Sequence, residues 1–299
     1  MSDIKRVRFI INPISGGKSK SEIPDLAQQI LHKNKFNIDY SFTKNAEHTS
    51  FLAKECVQQN YDWVIAVGGD GTVNQVATEL LHTRLALGII PFGSGNGLAR
   101  ALQIPMHSKK ALMSLNQITI KTIDTGLANS VPFINVCGFG FDAHVSAGFA
   151  NMGTRGFRTY AKVSLQTIKK FKPEKLILDI NKTSTQEKAF ILAICNGPQY
   201  GNNAYIAPEA DLSDGQFHIT HIKELNWKNI IGLGSNLFSR RLHQSAHVKT
   251  SIANTLTVHR EEENYVNIDG EPVWLEKSVN IQLQALSLNV LIPSSYHEQ

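Results

Sequence analysis

The chain has 299 residues, of which 42% are hydrophobic and 18% are charged, so it can bury one large core or two ordinary ones. This composition excludes a disordered tail protein and a mini-domain that depends on disulfides or metal for its stability. Lys and Arg total 30 against 25 Asp and Glu, which gives a formal net charge of +5. An excess this mild suits an anionic partner, whether a nucleotide, a nucleic acid or an acidic membrane.

The three cysteines, Cys56, Cys137 and Cys195, are widely spaced and form no C-x-x-C pair. They support neither a disulfide framework nor a zinc knuckle, so we expect a reducing, cytoplasmic environment. No apolar run approaches the roughly 18 residues of a membrane span, and the run at 9–11 is too short for a signal peptide. The sequence thus predicts a soluble protein that is not exported.

In the first part of the chain, short apolar or β-branched runs alternate with longer amphipathic stretches. The runs predict strands at 7–11, 37–42, 63–67 and 85–90, and the stretches predict helices at 22–32, 49–59, 75–81 and 98–102. In the second of these helices we expect Phe51, Leu52 and Cys56 to face inward. The alternation predicts a three-layer α/β domain over residues 1–125, built on a parallel sheet.

Beyond residue 125 short strands separated by turn residues predict a β-rich domain at 126–285. The triplet Glu261-Glu262-Glu263 reads as the solvated tip of a hairpin. A closing strand at 286–293 could return to either domain, so residues 286–299 could complete the first. The predicted strands are 133–136, 175–180, 190–195, 217–222 and 279–283, with helical insertions at 159–171 and 227–242.

The main motif is Gly68-Gly69-Asp70-Gly71-Thr72-Val73-Asn74, which follows the predicted strand at 63–67. Its glycines let backbone N–H groups approach an anionic ligand, and the helix that follows adds a favourable dipole. Because the charge of Asp70 would repel phosphate, its use would lie in holding Mg²⁺ or in accepting a proton. The alternative is that Asp70 only caps the helix.

Two other loops follow predicted strands in the same way. The loop at 91–97, Pro-Phe-Gly-Ser-Gly-Asn-Gly, would lie beside the main motif, because adjacent parallel strands end at one edge of a sheet. The loop at 12–19 is not a Walker A motif, since Asn12 stands where that motif requires Gly. Its small residues and Lys18 could still contact phosphate through backbone N–H groups and one positive charge.

In this order the motifs resemble the diacylglycerol kinase and sphingosine kinase catalytic family, in particular its soluble bacterial lipid kinases. The resemblance rests on Asn12-Pro13-x-Ser15-Gly16-Gly17-Lys18, on the segments 68–74, 93–96, 138–143 and 207–215, on Ile123-Asp124 and on Ile268-Asp269-Gly270-Glu271. It therefore extends over nearly the whole chain.

The resemblance implies transfer of the ATP γ-phosphate to a lipid hydroxyl, in a cleft between an α/β nucleotide-binding domain and a C-terminal β-sandwich. Glu271 would be the general base, with Asp124 nearby and Asp70 as the rival base. A Mg²⁺ position distant from the γ-phosphate would involve Asp211, Asp214 and Gln216 and would help to shape the cleft. The residues expected to contact ATP are Asn12, Pro13, Ile14, Ser15, Gly16, Thr43, Gly68, Gly69, Asp70, Gly71, Thr72, Val73, Asn74 and Ser94.

Some features leave alternatives open. Read without the family, Asp269-Gly270 is an ordinary turn between strands. Ser94 and the Asn96-Gly97 pair depart from the diacylglycerol kinase pattern, which leaves the acceptor open between diacylglycerol, a sphingoid base and another hydroxylated lipid. A small-molecule kinase of the NAD kinase or phosphofructokinase type is the second hypothesis. A nucleotide or lipid sensor without activity is the third, and the presence of Asp70 and Glu271 argues against it.

The highest local density of positive charge lies between residues 154 and 175, a segment that contains seven Lys and Arg residues and a single acidic residue, Glu174. A basic segment with interleaved aromatic residues could dock the protein to a membrane surface, or it could be a solvated helix face. No nucleic-acid-binding module accompanies it. We leave the oligomeric state open, with a homodimer among the options. The candidate membrane-facing bases are Arg155, Arg158, Lys162, Lys169 and Lys170.

Overall fold

The computed structural model describes residues 4–17, 19–150, 157–168, 171–223 and 227–294. The chain divides into two compact units, residues 1–123 with 286–299 and residues 124–285. Within the described ranges, no helix combines the length and the apolar character needed to cross a bilayer.

The first unit alternates strands with helices. Its central strands are apolar at every position, which suits a sheet covered on both faces. The elements are β1 (Lys5–Ile11), α1 (Ile23–Ile30), β2 (Phe36–Phe42), α2 (Ala46–Gln58), β3 (Trp63–Gly68), α3 (Asp70–Leu80), β4 (Ala86–Pro91), α4 (Gly97–Ala101) and α5 (Ser108–Ser114). Two strands contribute to both units, β5 (Ile118–Ala128) and β15 (Ser278–Pro293).

The sheet of the first unit has the order β15-β4-β3-β1-β2, and every one of these pairings is parallel. All residues of β3 and β4 are buried. Helix α2 packs on α3, and α1 packs on α5, so helices cover the sheet on both sides. The closing strand joins this sheet, because Asn289 pairs with Ala86. The predicted three-layer α/β architecture is confirmed.

Two local predictions in the first unit are wrong. Phe51 does not face inward: its side chain is 58% exposed, and the buried face of α2 carries Thr49, Leu52, Ala53 and Cys56. Helix α3 begins at Asp70 rather than at 75, so the second half of the glycine motif is helical. Its glycines disguise the helix start, because Gly has low helix propensity.

The second unit is built from antiparallel strands and three helices in its described part. The strands are β6 (Val131–Phe133), β7 (Val136–Gly140), β8 (Glu174–Ile180), β9 (Thr183–Cys195), β10 (Phe217–Lys223), β11 (Val248–Ala253), β12 (Thr255–Arg260), β13 (Asn264–Ile268) and β14 (Glu271–Leu275). The helices are α6 (Phe141–Ala150), α7 (Phe157–Ile168) and α8 (Trp227–Phe238).

Strand β9 organises the second unit. Its first half pairs with β8, and its second half pairs with β7 on one side and β10 on the other. From β7 the pairing continues to β13 and β14, and from β8 to β12 and β15. The strands enclose a core that includes Phe133, Phe139, Leu192 and Phe217. This is the predicted β-sandwich with helical insertions.

Three details of the second unit differ from expectation. The predicted strand at 133–136 is broken, because Ile134 and Asn135 lie between β6 and β7. The predicted helix at 227–242 ends at Phe238, and a separate 3-10 turn follows at Leu242–Gln244. The exposed triplet at 261–263 is not a hairpin tip, because β12 pairs with β8 and β15 whereas β13 pairs with β7 and β14.

Candidate active site

Three loops meet at the carboxyl ends of β1, β3 and β4, as expected for neighbouring parallel strands. A Cβ atom added to Gly69 would lie 3.1 Å from the Cα of Gly93 and 3.4 Å from the Oγ of Ser15. Below this contact, the backbone N–H of Phe92 donates to the carbonyl of Gly68 at 2.7 Å. The three backbones are therefore packed against one another, with no room for side chains at the point of contact.

Asp70 joins two of these loops. Its Oδ1 accepts the backbone N–H of Gly97 at 2.7 Å, and its Oδ2 accepts that of Asn96 at 2.8 Å. Burial raises the pKa of Asp70, while the backbone donors and Arg100 oppose that rise. Because Gly69 occupies the N-cap position of α3, the capping alternative for Asp70 is wrong. The carboxylate instead fixes the loop after β4.

The loop after β4 is further held by its own asparagine. Asn96 has left-handed backbone angles, φ 51° and ψ 50°, which asparagine tolerates better than most residues. Its side chain accepts the N–H of Gly93 at 2.9 Å and donates to the carbonyl of Gly93 at 2.7 Å. In this loop Ser94 is exposed.

The first loop is tied to α3 through Asn12, whose Nδ2 donates to the hydroxyl of Thr72 at 3.0 Å. Gly16 has φ +63°, and a Cβ there would collide with the carbonyl oxygen of Phe92. Directly after β2, the buried Thr43 donates its backbone N–H to the carbonyl of Ile11 at 2.8 Å. The predicted ATP-contacting residues of 12–16, 68–74 and 94 thus come from loops that are bound together.

Lys20 is a residue that the sequence analysis missed. It is 1% exposed, and its ammonium donates to the carbonyls of Ser15 and of Pro13, the latter at 3.4 Å. Its Nζ also lies 4.9 Å from the centre of the Phe92 ring. Burial lowers the pKa of Lys20. In the sequence it is one lysine in a polar run and gives no signal of burial, whereas the predicted Lys18 lies outside the described residues.

The loops and the first turn of α3 form an anion-binding type of surface. Backbone N–H groups at a helix N-terminus have no intrahelical partner, and the helix dipole adds positive potential there. Gly69 at the N-cap and Gly71 in the first turn of α3 add no side chain there. Chemically, the arrangement can hold phosphate groups without placing a basic side chain on each of them.

In the second unit, β13 and β14 are joined by the two-residue turn Asp269-Gly270, with φ of 50° and 95°. Two positive φ angles are those of a type I′ hairpin turn, for which Asp-Gly is a favoured sequence. The turn reading of this motif is confirmed. Glu271 is the first residue of β14 and is exposed.

Asp124 is 1% exposed and lies against the loop that carries the predicted Mg²⁺ residues. Its Oδ2 accepts the backbone N–H of Gly215 at 2.8 Å, and its own N–H donates to the carbonyl of Leu212 at 2.7 Å. The structure therefore brings Asp124 and the loop at 211–216 together, although they are far apart in the sequence.

The carboxylates of that loop shape its turns. Oδ1 of Asp211 accepts both the N–H and the hydroxyl of Ser213 at 2.8 Å. Asp214 accepts the N–H of Gln216 at 3.0 Å, and its other oxygen lies 3.0 Å from Nε2 of His218. Across the described ranges, no three or more His, Cys, Asp or Glu side chains are grouped to hold a metal ion. Two carboxylates and a carboxamide are nevertheless the hard oxygen donors that suit Mg²⁺.

Only part of the predicted basic surface can be located. Lys162 is exposed on α7, and Arg158 belongs to the same helix. The remaining candidates, Arg155, Lys169 and Lys170, lie outside the described residues.

Comparison with known proteins agrees with this architecture. A family profile described as "Diacylglycerol kinase catalytic domain" matches residues 6–128, and one described as "YegS C-terminal NAD kinase beta sandwich-like domain" matches residues 135–291. A diacylglycerol kinase of Bacillus subtilis (strain 168) is 28% identical over 275 residues, or 90% of each chain. A Klebsiella pneumoniae (strain 342) protein predicted to be a YegS-like lipid kinase is 27% identical over 291 residues, 94% of this chain and 95% of that one.

The same fold occurs in solved structures. A Bacillus anthracis str. Sterne chain described as a diacylglycerol kinase superposes with a TM-score of 0.77 over 99% of both chains, at 19% identity. A second structure from that organism gives a TM-score of 0.81 over 99% of this chain and 97% of that one, at 21% identity.

The fold and the loop geometry are those of a two-domain protein with a glycine-loop α/β domain and a β-sandwich. Since the C-terminal profile spans more than half of the chain and the catalytic profile spans most of the remainder, the chain belongs to the diacylglycerol kinase family with a YegS-type C-terminal domain.

Proposed function

We propose that the protein transfers the γ-phosphate of ATP to a hydroxyl group of a lipid. It is an ATP-dependent lipid kinase of the diacylglycerol kinase family. The observation that carries the proposal is the packing of three loops at the carboxyl ends of β1, β3 and β4, two of which are bridged by Asp70. Phosphoryl transfer asks a protein mainly for positioning and charge compensation, and backbone N–H groups supply both.

In this proposal the first unit binds ATP. The N–H groups at the start of α3 and in the loop at 12–17 face the phosphates, and Asn12 and Thr72 keep the two segments aligned through their 3.0 Å hydrogen bond. Lys20 contributes indirectly, because it holds the carbonyl groups of the loop and so favours outward-facing N–H groups. Thr43 and Ser94 stand at the borders of the same surface.

The acceptor hydroxyl must lose a proton as it attacks, and we assign that proton to Glu271. Its exposure at the start of β14 suits a group that must reach a substrate. Asp70 suits the base role less well, because both of its oxygens already accept backbone N–H groups. We give Asp124 a supporting role beside the loop at 211–216.

We further propose Mg²⁺ as the metal, with Asp211, Asp214 and Gln216 as its protein ligands by donor type. The family resemblance gives this position as distant from the γ-phosphate, so a bound Mg²⁺ would hold the loop at 211–216 in shape. Two roles belong to the protein itself and not to Mg²⁺: backbone N–H groups orient the phosphates, and Glu271 receives the proton.

The lipid substrate requires that the enzyme visit a membrane, and we propose that α7 and the bases around it face that surface. Lys162 is exposed on this helix, and a basic face is attracted to anionic headgroups. The acceptor lipid stays open between diacylglycerol, a sphingoid base and another hydroxylated lipid.

The test is to incubate the purified protein with γ-labelled ATP, Mg²⁺ and a mixed lipid extract, and to identify labelled products by mass spectrometry. The proposal expects label in a phospholipid product. NAD is included as a second acceptor, because the C-terminal profile carries NAD kinase in its description. Label in NAD without label in any lipid would contradict the proposal and support the small-molecule kinase hypothesis.

A further inference from the structure

The corner at residues 134–136, between β6 and β7, is held by the side chain of Asp269. The Asp269 carboxylate accepts three consecutive backbone N–H groups, from Ile134 at 2.6 Å and from Asn135 and Val136 at 2.8 Å. Its own N–H donates to the carbonyl of Val136 at 2.9 Å. Hydrogen bonds to a carboxylate are among the stronger ones in proteins, so this contact fixes the turn to the corner.

That turn determines the backbone position of Glu271, the first residue of β14. Asp269 and Glu271 are separated only by Gly270, and the Gly270 N–H donates to the side chain of Asn267 at 2.9 Å. The backbone of the turn is thus held at Asp269 by the corner and at Gly270 by β13. The position of Glu271 follows from these two contacts.

On its other side the corner is held by Asn196, which is 0% exposed. Its Nδ2 donates to the carbonyl of Ile134 at 2.8 Å and to the carbonyl of Asp124 at 2.7 Å. Its backbone N–H donates to the carbonyl of Asn135 at 2.9 Å. The NH₂ group thus joins two carbonyl oxygens, and a carboxylate in its place would repel both.

From these contacts we infer that Asp269 and Asn196 are positioning residues for phosphoryl transfer. They connect the turn of Glu271 to the backbone of Asp124 through one corner, so that two candidate site residues keep a fixed relation. The inference rests on the proposed function, since it takes Glu271 as the base. Neither residue has to touch the substrate; both act through the backbone of the residues they hold.

Such positioning matters because a displacement of about 1 Å in a reacting group can lower a rate by about 100-fold. Asp269→Asn keeps the size of the side chain but places an NH₂ group against backbone N–H donors. Asn196→Asp is the reverse change and places oxygen against two carbonyls. Both variants therefore loosen the corner with little change in volume.

The experiment is a double-mutant cycle in the lipid kinase assay, with Asp269→Asn, Glu271→Gln and the combined variant. We expect Asp269→Asn to lower kcat by about 10- to 100-fold while the KM for ATP is unchanged. In the Glu271→Gln background it should cause little further loss, because a positioning residue has no effect once the group it positions is gone. Asn196→Asp should show the same direction and serves if Asp269→Asn does not fold.

The matched control is Asp62→Asn, since Asp62 also accepts a backbone N–H, from Arg6 at 2.8 Å, but lies in the first unit. It should leave kcat unchanged. An unchanged kcat in Asp269→Asn, or an equal loss in both backgrounds, would overturn the inference alone. A wild-type protein that labels no lipid would instead overturn the proposed function, and this inference with it.

Discussion

The carboxylate of Asp70 accepts the backbone N–H of Gly97 at 2.7 Å, and so ties the first turn of α3 to the loop after β4. The same side chain was a candidate for the general base, but its oxygens are committed to backbone donors. Its position makes it a structural bridge within the proposed ATP site, which leads to the first prediction.

Asp70→Asn should weaken ATP binding, because the carboxamide turns an NH₂ group toward one of the two backbone donors. We expect a roughly tenfold higher Kd for ATP and a free energy of unfolding lower by about 1–3 kcal/mol. Calorimetric titration and urea unfolding measure the two effects. A variant that binds ATP normally but has lost catalytic turnover would return the base role to Asp70.

Gly16 and Gly17 provide a matched pair for the first loop. Both have φ +63°, so alanine at either position carries the strain of left-handed backbone, about 1–2 kcal/mol. Only at Gly16 would the new Cβ collide with the carbonyl of Phe92; no described atom lies within 4 Å of a Cβ at Gly17. Gly16→Ala should therefore lose ATP affinity, whereas Gly17→Ala should keep most of it. Equal losses would show that strain, and not loop contact, limits binding.

Asp142 makes stability depend on pH. Burial raises its pKa to about 7, against hydrogen bonds from Tyr200, Asn267 and Ala143 that lower it. In the unfolded chain the carboxyl should titrate near 3.8, so between these values the folded state holds a proton that the unfolded state lacks. The contribution to stability is complete below about pH 4 and is lost as the pH rises toward 7.

Asp142→Asn removes this titration, because a carboxamide resembles the protonated acid and cannot ionise. Between pH 5 and pH 8, the free energy of unfolding of the wild type should fall relative to that of the variant, by on the order of 2 kcal/mol. The nearby thiols of Cys137 and Cys195 should stay neutral there, because burial raises both of their pKa values well above normal. Urea unfolding at the two pH values measures the difference; parallel stabilities would mean that Asp142 is ionised throughout.

The basic segment should bind anionic vesicles in a salt-sensitive way. Neutralising Arg158, Lys162 and Lys169 together should weaken binding to phosphatidylserine vesicles, at about 1 kcal/mol per contacting base. The control neutralises Lys33, Lys109 and Lys110, which are exposed in the first unit. These substitutions remove the same amount of charge from a different surface. If both triple variants lost affinity equally, net charge would explain the binding, and if neither did, the segment would be a solvated face.

Sequence patterns were sufficient for the architecture of the first unit. Strands β3 and β4 are continuous apolar runs, each followed by a glycine-rich loop. Such runs are typical of parallel strands that are covered on both faces. The order of the three loops along one sheet edge follows directly. Family resemblance then supplied the β-sandwich and the lipid kinase activity, which composition and periodicity left open.

Local sequence patterns could not predict hydrogen bonds between residues that are far apart in the chain. The run at 133–136 has the composition of one strand. The carboxylate of Asp269, 135 positions from Ile134, accepts the backbone N–H groups of residues 134–136, and the strand is interrupted there. Lys20 looks solvated, and only the fold reveals that two carbonyl groups surround its ammonium. In each case a long-range hydrogen bond overrides a local preference that is correct for an isolated segment.

The most direct test of the account compares wild type with Glu271→Gln, using labelled ATP and diacylglycerol or sphingoid base in mixed micelles, with ATP affinity measured in parallel. The account predicts labelled lipid with the wild type, a loss of about 100-fold or more in Glu271→Gln, and the same Kd for ATP in both. Full lipid phosphorylation by Glu271→Gln, or none by the wild type with any hydroxylated lipid, would contradict it.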